Sequence, residues 1–588
     1  MTEMTDYGYI RAAACVPDVC PGRPMENARR IEAAARSAAA QGAQLICFPA
    51  YSLSGCTAAD LCHSALLQQE CLNALQWLQQ QSADIRAIIN VSYPVSAAGI
   101  TRNATATILG GETVGTTISG ESSRPLFLTP VCNFAIADTN ALLQTDADIV
   151  LCPAAIPETA GITARLQSRL AFCSAELGAA VVMASAGRGE SSTDYLYAGH
   201  SIIADNGEIL PGGIADIDIE LIRRKRAAHS RHCATGTQTI ETAMPLFSGD
   251  GLMRPVRPNP FHSCPEVFQE TFGIQTQALA TRLQHIGVQK MVIGISGGLD
   301  STLALLVCAA AADLMGLERT CITGITMPGF GTTDRTYTNA LGMMKALGIE
   351  WREINIRQAC LQHLQDIGHD ISVHDSAYEN AQARERTQIL MDVANRTNGI
   401  AVGTGDLSEL ALGWCTYNGD HMSMYAVNAS VPKTLIPGII SYAAELPAFS
   451  AAKPYLLDVI DTPITPELLP ADNRGNIVQK TEDIIGPYQL HDFFIYHFVK
   501  NGYAPSKILY LAGIAFAGKY DTETIRKWLI LFVKRFFNNQ FKRSCMPDGP
   551  ATGPVSLSPR CGWQMPSDAS SQLWLNDLTP RTAPCDGC

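Results

Sequence analysis

Lysine is missing from the first 224 residues of this 588-residue chain, so no ammonium side chain is available for chemistry before Lys225. Positive charge is scarce throughout. The 43 Lys and Arg stand against 55 Asp and Glu, a net charge of −12, which argues against a general nucleic-acid or membrane-surface binder. No uncharged apolar run of about 18 residues is present, so no membrane-spanning helix is expected. Met1–Ala14 carries Glu3, Asp6 and Arg11 with no unbroken apolar core, so no signal peptide is expected. Charged residues make up only 17% of the chain and apolar ones 47%, the balance of a well-buried globular enzyme rather than a disordered or fibrous chain. The length is too great for one core, and two large domains or more are expected.

The 19 cysteines are scattered, many inside apolar runs (Cys47, Cys152, Cys173, Cys308, Cys321), which reads as reduced, buried thiols in a cytoplasmic protein. The C-x-x-C at Cys585–Cys588 ends a Pro- and Asp-containing tail and reads as a frayed terminus rather than a metal or redox site.

The most informative stretch is Met291–Ser301. A β-branched run, Met291–Ile295, meets Ser296-Gly297-Gly298, then Leu299-Asp300-Ser301, and an apolar helical segment follows over Thr302–Leu314. A strand, a Gly turn and a helix in this order aim free backbone N–H groups and a positive helix end at one spot, which suits a phosphate chain. The turn lacks the Gly-Lys-Ser/Thr ending of a kinase-type P-loop, so γ-phosphate transfer is not the natural reading. Taken alone, the loop could also be an ordinary Gly turn in an α/β core.

From Tyr9 to about Glu241, short apolar strands alternate with Ala-rich helices. Strands are expected at Gln44–Phe48, Ala87–Ser92, Ala104–Leu109, Asp148–Cys152, Ala179–Ser185 and Ser201–Ala204, and helices at Asn27–Gln41, Leu66–Gln80 and Ala164–Leu177. Asp205–Glu208 contains Asn-Gly and reads as a hairpin turn. This is an α/β domain with two sheet layers flanked by helices, over residues 1–244. Leu221–Arg231 crowds Arg223, Arg224, Lys225, Arg226 and Arg231 together and reads as a solvated or subunit-contact face. The Pro- and Gly-rich stretch 245–260 reads as a linker.

Residues 261–588 form the second expected domain. Phe261–Gly287 is a helical lead-in; Thr320–Pro328 is a strand, Thr336–Leu347 a helix and Glu350–Ile354 a third strand. That rhythm predicts a parallel sheet with helices on both faces and ligands at the carboxyl ends of its strands. Met327–Thr336, with two glycines and several hydroxyls, reads as a nucleotide-facing loop. A helix opens near Tyr378 and places Asn380, Arg384 and, off-axis, Arg386 near one face, suited to a phosphate-rich ligand or to a salt-bridged surface. Ala401–Trp414 is a strand ending at Thr404-Gly405 and entering a helix, with Glu409 in its first turn as a hard oxygen ligand for Mg²⁺. Lys433 is a candidate cation for ATP phosphates.

Together these phrases resemble glutamine-dependent NAD⁺ synthetases. The synthetase domain's motifs are matched by Ser296–Ser301, Met327–Phe330, Glu379–Arg384, Gly403–Trp414, Asp461–Pro470, Thr481–Pro487 and Gln540–Ser544, and the loop at Ser296 looks like that of N-type ATP pyrophosphatases. The resemblance implies a nitrilase-like α-β-β-α sandwich followed by a Rossmann-like ATP pyrophosphatase domain. It implies ATP and Mg²⁺, with deamido-NAD⁺ turned into NAD⁺ through an acyl-adenylate. Asp300 and Lys433 would be catalytic. Ser296, Gly297, Gly298, Asp300, Ser301, Thr404 and Lys433 would hold ATP and pyrophosphate, and Asp300 and Glu409 the metal. Asn380, Arg384, Arg386 and Asp420 would hold substrate. A homo-oligomer is implied as well.

The amino-terminal half resembles the nitrilase-type glutaminase of the same family, at Phe48–Gly55 and Gly187–Asp194. Its three catalytic roles are vacant. Ala50 stands in place of the general-base Glu, Ala137 in place of the nucleophilic Cys, and no Lys is available for the oxyanion. Cys132, the nearest thiol, follows Pro130-Val131 and reads as a buried or loop cysteine. This half is read as a pseudo-amidase, with free ammonia as the nitrogen source. Two further departures are Ala551, where the family has Lys, and Gly562, where it has Asp. They keep open a same-fold ligase acting on another carboxylic acid or amine, and a regulatory homologue that binds nucleotide without turnover is a third reading.

Overall fold

The computed structural model describes residues 7–97, 99–121, 124–143, 145–228, 238–247, 251–330, 334–462 and 481–579. The chain forms two compact units that divide between Pro255 and Val256. Arg231, residues 331–333, residues 463–470 of the Asp461–Pro470 motif, and Cys585–Cys588 lie outside the described residues.

The first unit stacks two sheets. One has six strands in the order Ile214–Asp218, Tyr9–Ala14, Leu45–Cys47, Ile88–Ala97, Ile100–Leu109 and Glu112–Ile118. The other has seven: Glu208–Leu210, Ser201–Asp205, Ala180–Ser185, Ile149–Ala154, Asn133–Ile136, Leu126–Leu128 and Thr239–Glu241. Strands buried on both faces read as continuous apolar runs, and Ile149–Ala154 and Ala180–Ser185 are buried at every position. Ile10, Leu45 and Ile88 of one sheet meet Phe134, Leu151 and Val182 of the other in a shared core. Helices Pro24–Ala40 and Ala65–Gln81 cover the outer face of the first sheet, and Ile162–Leu177 that of the second. The result is the expected α-β-β-α layering.

Two stretches of this unit are held by specific contacts. Arg223 and Arg224 are exposed, as a solvated face would have them, yet Arg223 and Arg226 both bond Asp148, at 2.8 and 3.1 Å, and Arg226 also donates to the carbonyls of Asp146, Ala147 and Gly178. Asp148 is buried, and two guanidiniums meet its charge. The stretch 245–260 is not one free linker. Up to Pro255 it belongs to the first unit, where Pro245 accepts from Gln44, Gly251 accepts from Arg11, and Arg254 pairs with Asp205.

The second unit is built on a five-stranded parallel sheet in the order Glu350–Glu353, Ile322–Thr326, Lys290–Gly294, Gly399–Gly403 and Tyr425–Ala426. The first strand in sequence lies in the middle. The chain builds outward from it to Ile322–Thr326 and Glu350–Glu353, then returns to its other side with Gly399–Gly403. Loops leaving the carboxyl ends of Lys290–Gly294 and Gly399–Gly403 therefore part in opposite directions and open a crevice. Helix Leu299–Leu314 is apolar all round and packs between Pro265–Ile286 and Ile436–Ala444 in the main core. Among the described residues, no single helix is long and apolar enough to cross a membrane.

Candidate active site

The crevice holds a cavity of about 620 Å³, and the carboxyl ends of the strands form its floor. Ser296, Gly298, Asp300 and Ser301 line it from the first loop, Thr404 and Glu409 from the fourth strand's loop, and Lys433, Asn380, Arg386 and Asp420 from elsewhere. Gly297 shapes the first loop from behind. Its φ is +85°, and a Cβ there would lie 2.0 Å from the Thr336 carbonyl oxygen. Ser296 Oγ lies 3.1 Å from Ser301 Oγ and accepts from the Gly298 N–H at 3.2 Å, closing the turn onto the amino end of Leu299–Leu314. Asn428 joins the two loops: its amide donates to the carbonyls of Asp300 and Thr404, at 2.9 and 3.0 Å, and Gln275 bonds its oxygen.

At the cavity floor Lys433 sits among three carboxylates. Its Nζ is 2.7 Å from Asp300, 2.6 Å from Asp406 and 2.9 Å from Glu409. Burial pulls the ammonium's pKa down, but the three carboxylates outweigh it and hold it well above the usual lysine value. Burial pushes Asp300 up; Lys433 opposes this and Asp406 adds repulsion, leaving it at about 7. Burial and Asp406 likewise raise Glu409. One oxygen of each carboxylate lies within 4.8 Å of the other two. Asp300 Oδ1 is buried without a hydrogen-bond partner, and Asp406 Oδ2 faces the Lys433 ammonium. Three hard oxygen donors drawn together and one buried oxygen lacking a hydrogen bond fit a divalent cation such as Mg²⁺.

The backbone around Lys433 is tightly held. Its N–H donates to Ser408 Oγ at 2.9 Å, and Ser408 Oγ in turn donates to the buried carboxylate of Asp492. Asp492 also accepts from Thr434 through N–H and Oγ1, at 3.0 and 2.7 Å. Asp406 caps helix Leu407–Leu412, its Oδ1 accepting from Ser408 and Glu409 N–H. Sequence reasoning missed Asp406, although the spacing Asp406-x-x-Glu409 before an apolar run is a helix-start signal that marks both residues.

Arg384 does not join the site. The cavity face of helix Ser376–Arg396 is Asn380, Ala383, Thr387 and Leu390, an i, i+3, i+7, i+10 stripe with Arg386 at one edge. Arg384 falls off the other edge and donates to the Tyr417 carbonyl at 3.3 Å. Arg535, Lys542, Trp414 and Tyr488 also line the cavity and were not singled out in the sequence. They come from segments far apart in the chain that only folding brings together.

In the first unit, Ala50 and Ala137 line one cavity of about 230 Å³, with Tyr51, Asn103, Arg124 and Asp138. Among the described residues lining it there is no Cys, Glu, Lys or His. Cys132 is buried away from it, and burial raises its thiol to about 12.

The sequence profile of the NAD synthase family matches residues 273–444. The glutamine-dependent NAD(+) synthetase of Mycobacterium tuberculosis is 34% identical over 669 aligned residues, covering 97% of this chain and 98% of its own. This chain belongs to the glutamine-dependent NAD(+) synthetase family. The Mycobacterium leprae member is 35% identical over 667 residues, again covering 97% and 98%. A glutamine-dependent NAD(+) synthetase from Cytophaga hutchinsonii with a crystal structure is 16% identical, with a TM-score of 0.45 over 97% of this chain and 100% of its own. Membership makes the chain a carbon–nitrogen ligase that forms AMP and pyrophosphate. The alignments are longer than the chain itself, so the mycobacterial NAD synthetases carry segments with no counterpart here.

Ala551 and Gly562 lie on adjoining segments. Ala551 is exposed. At Gly562 a Cβ would meet the Ser556 carbonyl at 2.3 Å, so the backbone occupies the space an aspartate would need. Arg560 bridges the segments, 3.0 Å from Asp548 and donating to the carbonyls of Met546 and Pro547.

Proposed function

We propose that the second unit joins ammonia to the nicotinate carboxylate of deamido-NAD⁺ through an acyl-adenylate, and that the first unit hydrolyses no glutamine. The observation that carries the first half is Lys433 set among Asp300, Asp406 and Glu409 beside the Ser296–Ser301 turn. A carboxylate is a poor electrophile. Its oxygen attacks the α-phosphorus of ATP, the bond to the bridging oxygen breaks, and pyrophosphate leaves. Negative charge grows on that leaving oxygen, where the hydroxyls of Ser296 and Ser301, the amino end of Leu299–Leu314 and the Lys433 ammonium can stabilise it. Asp300, Asp406 and Glu409 would hold Mg²⁺, which when bound supplies charge neutralisation on the phosphates. Ammonia then adds to the acyl carbon and AMP departs with the C–O bond. Asn380, Arg386 and Asp420 face the same cavity and would orient the dinucleotide.

The second half rests on the alanines. Ala50 and Ala137 converge on one cavity, as general base and nucleophile would in a working amidase, yet neither bears a reactive group. A second reading, ligation of a different acid or amine, rests on Ala551 and Gly562, where the resemblance leads one to expect Lys and Asp.

A single assay tests these points: pyrophosphate release with ATP and Mg²⁺, with and without deamido-NAD⁺, supplied with ammonium or glutamine. Deamido-NAD⁺-dependent release, with NAD⁺ formed from ammonium only, is expected. Release indifferent to deamido-NAD⁺ refutes the first half in favour of another acid, and glutamate formed from glutamine refutes the second.

A further inference from the structure

The ammonium of Lys433 stands where a metal ion would have to stand. It is within 2.9 Å of one oxygen from each of Asp300, Asp406 and Glu409, and one oxygen of each carboxylate lies within 4.8 Å of one from the other two. A Mg²⁺ ion drawing on these three carboxylates would compete with the ammonium for them. Two cations cannot occupy one site, and at such separations their repulsion is strong even with good screening.

The main chain cannot yield to solve this. Lys433 N–H is fixed by Ser408, Thr434 is fixed by Asp492, and all these groups are largely buried. Only the four-carbon side chain is free to turn. It lines the cavity, as do Ser296 and Ser301, so a swing toward the lumen carries the ammonium toward the place a phosphate chain would lie.

We propose that Lys433 keeps the carboxylate trio closed to divalent cations in the nucleotide-free protein and opens it only when a polyphosphate gives the ammonium another partner. The metal therefore enters with the nucleotide, not before it. This inference rests on reading Asp300, Asp406 and Glu409 as the cation site.

Mn²⁺ titration of the full-length, nucleotide-free protein, followed by the electron paramagnetic resonance signal of the free ion, tests it. Lys433→Met and Lys433→Gln are expected to bind one Mn²⁺ at least about tenfold more tightly than wild type, and the gain is expected to vanish in Asp406→Asn/Lys433→Met. Wild-type protein that binds Mn²⁺ as tightly as these variants overturns the inference and leaves the cation site standing. Folded variants that bind none overturn both. Should the Lys433 variants not fold, wild type and Asp406→Asn decide: tight Mn²⁺ binding without nucleotide, lost in Asp406→Asn, refutes the proposal, and weak binding that a non-hydrolysable ATP analogue strengthens beyond the analogue's own chelation upholds it.

Discussion

Gly297 offers the sharpest test of how the phosphate loop is made. A Cβ at this position would lie 2.0 Å from the Thr336 carbonyl oxygen and 2.8 Å from its carbon, whereas real Cβ atoms essentially never come within 3.0 Å of another heavy atom. Gly297→Ala must therefore move the turn away from Thr336 by about 1 Å, and the left-handed φ of +85° adds roughly 1–2 kcal/mol of strain for any L side chain. Strain of that size is carried with or without nucleotide, so it lowers the stability of the unit rather than its affinity for ATP. A displacement of about 1 Å in the groups that orient the phosphates can cost ~100-fold in rate. With deamido-NAD⁺ and ammonium saturating, kcat/KM for ATP measured by pyrophosphate release should fall by at least about 100-fold. Gly273→Ala is the control: it lies on the exposed side of helix Pro265–Ile286, outside the cavity lining, and a Cβ there meets nothing within 4 Å. It should stay within about threefold of wild type. If Gly297→Ala retains more than a third of wild-type kcat/KM, the loop does not work as described.

Asp406→Asn keeps the capping oxygen that accepts from Ser408 and Glu409 but removes one charge from the trio. The melting temperature should change little while pyrophosphate release falls by about 100-fold or more; equal losses in both would show a structural role only. Arg543 is buried and donates to the carbonyls of Leu410, Ala411 and Phe536. Arg543→Met removes the side-chain donor from three carbonyls and should destabilise the second unit by about 2–4 kcal/mol, seen as an earlier thermal transition. Burial lowers His491 to about 4 from its usual 6.5. Between those values the unfolded chain gains a proton that the folded one does not. Stability is thus full above pH 6.5 and declines by up to ~3 kcal/mol as pH falls toward 4. His491→Gln should flatten that slope in melting curves, and an unchanged slope would assign it to other groups.

The phosphate loop was legible because its signal is local: a β-branched run, two glycines and an apolar helix lie within about twenty consecutive residues. Both sheets of the first unit were partly legible for the same reason, since their central strands are uninterrupted apolar runs. Edge and hairpin strands such as Glu112–Ile118, which is exposed or half-buried except at Thr117 and mostly polar, gave no such run. Arg384 stands apart from the cavity lining, a point the sequence did not show because i+4 spacing alone does not fix the phase of a helix face; the stripe through Ala383, Thr387 and Leu390 does. Asp406 escaped notice because it has two jobs, helix cap and carboxylate of the trio, and only the first leaves a mark in sequence. The role of Asp492 depends on contacts 84 and 58 residues away, which no spacing rule reports.

The placement of Lys290–Gly294 at the middle of its sheet has a consequence for how the protein comes into being. Its partner on one side, Gly399–Gly403, is made more than a hundred residues later, and Asn428, which ties the two loops, later still. During synthesis the Ser296 turn must wait on the ribosome with one flank of its strand unpaired, its long apolar helix already formed and seeking cover. The nucleotide crevice is thus among the last features of this unit to assemble, and a chain interrupted before Asn428 should emerge as a sticky fragment without affinity for ATP.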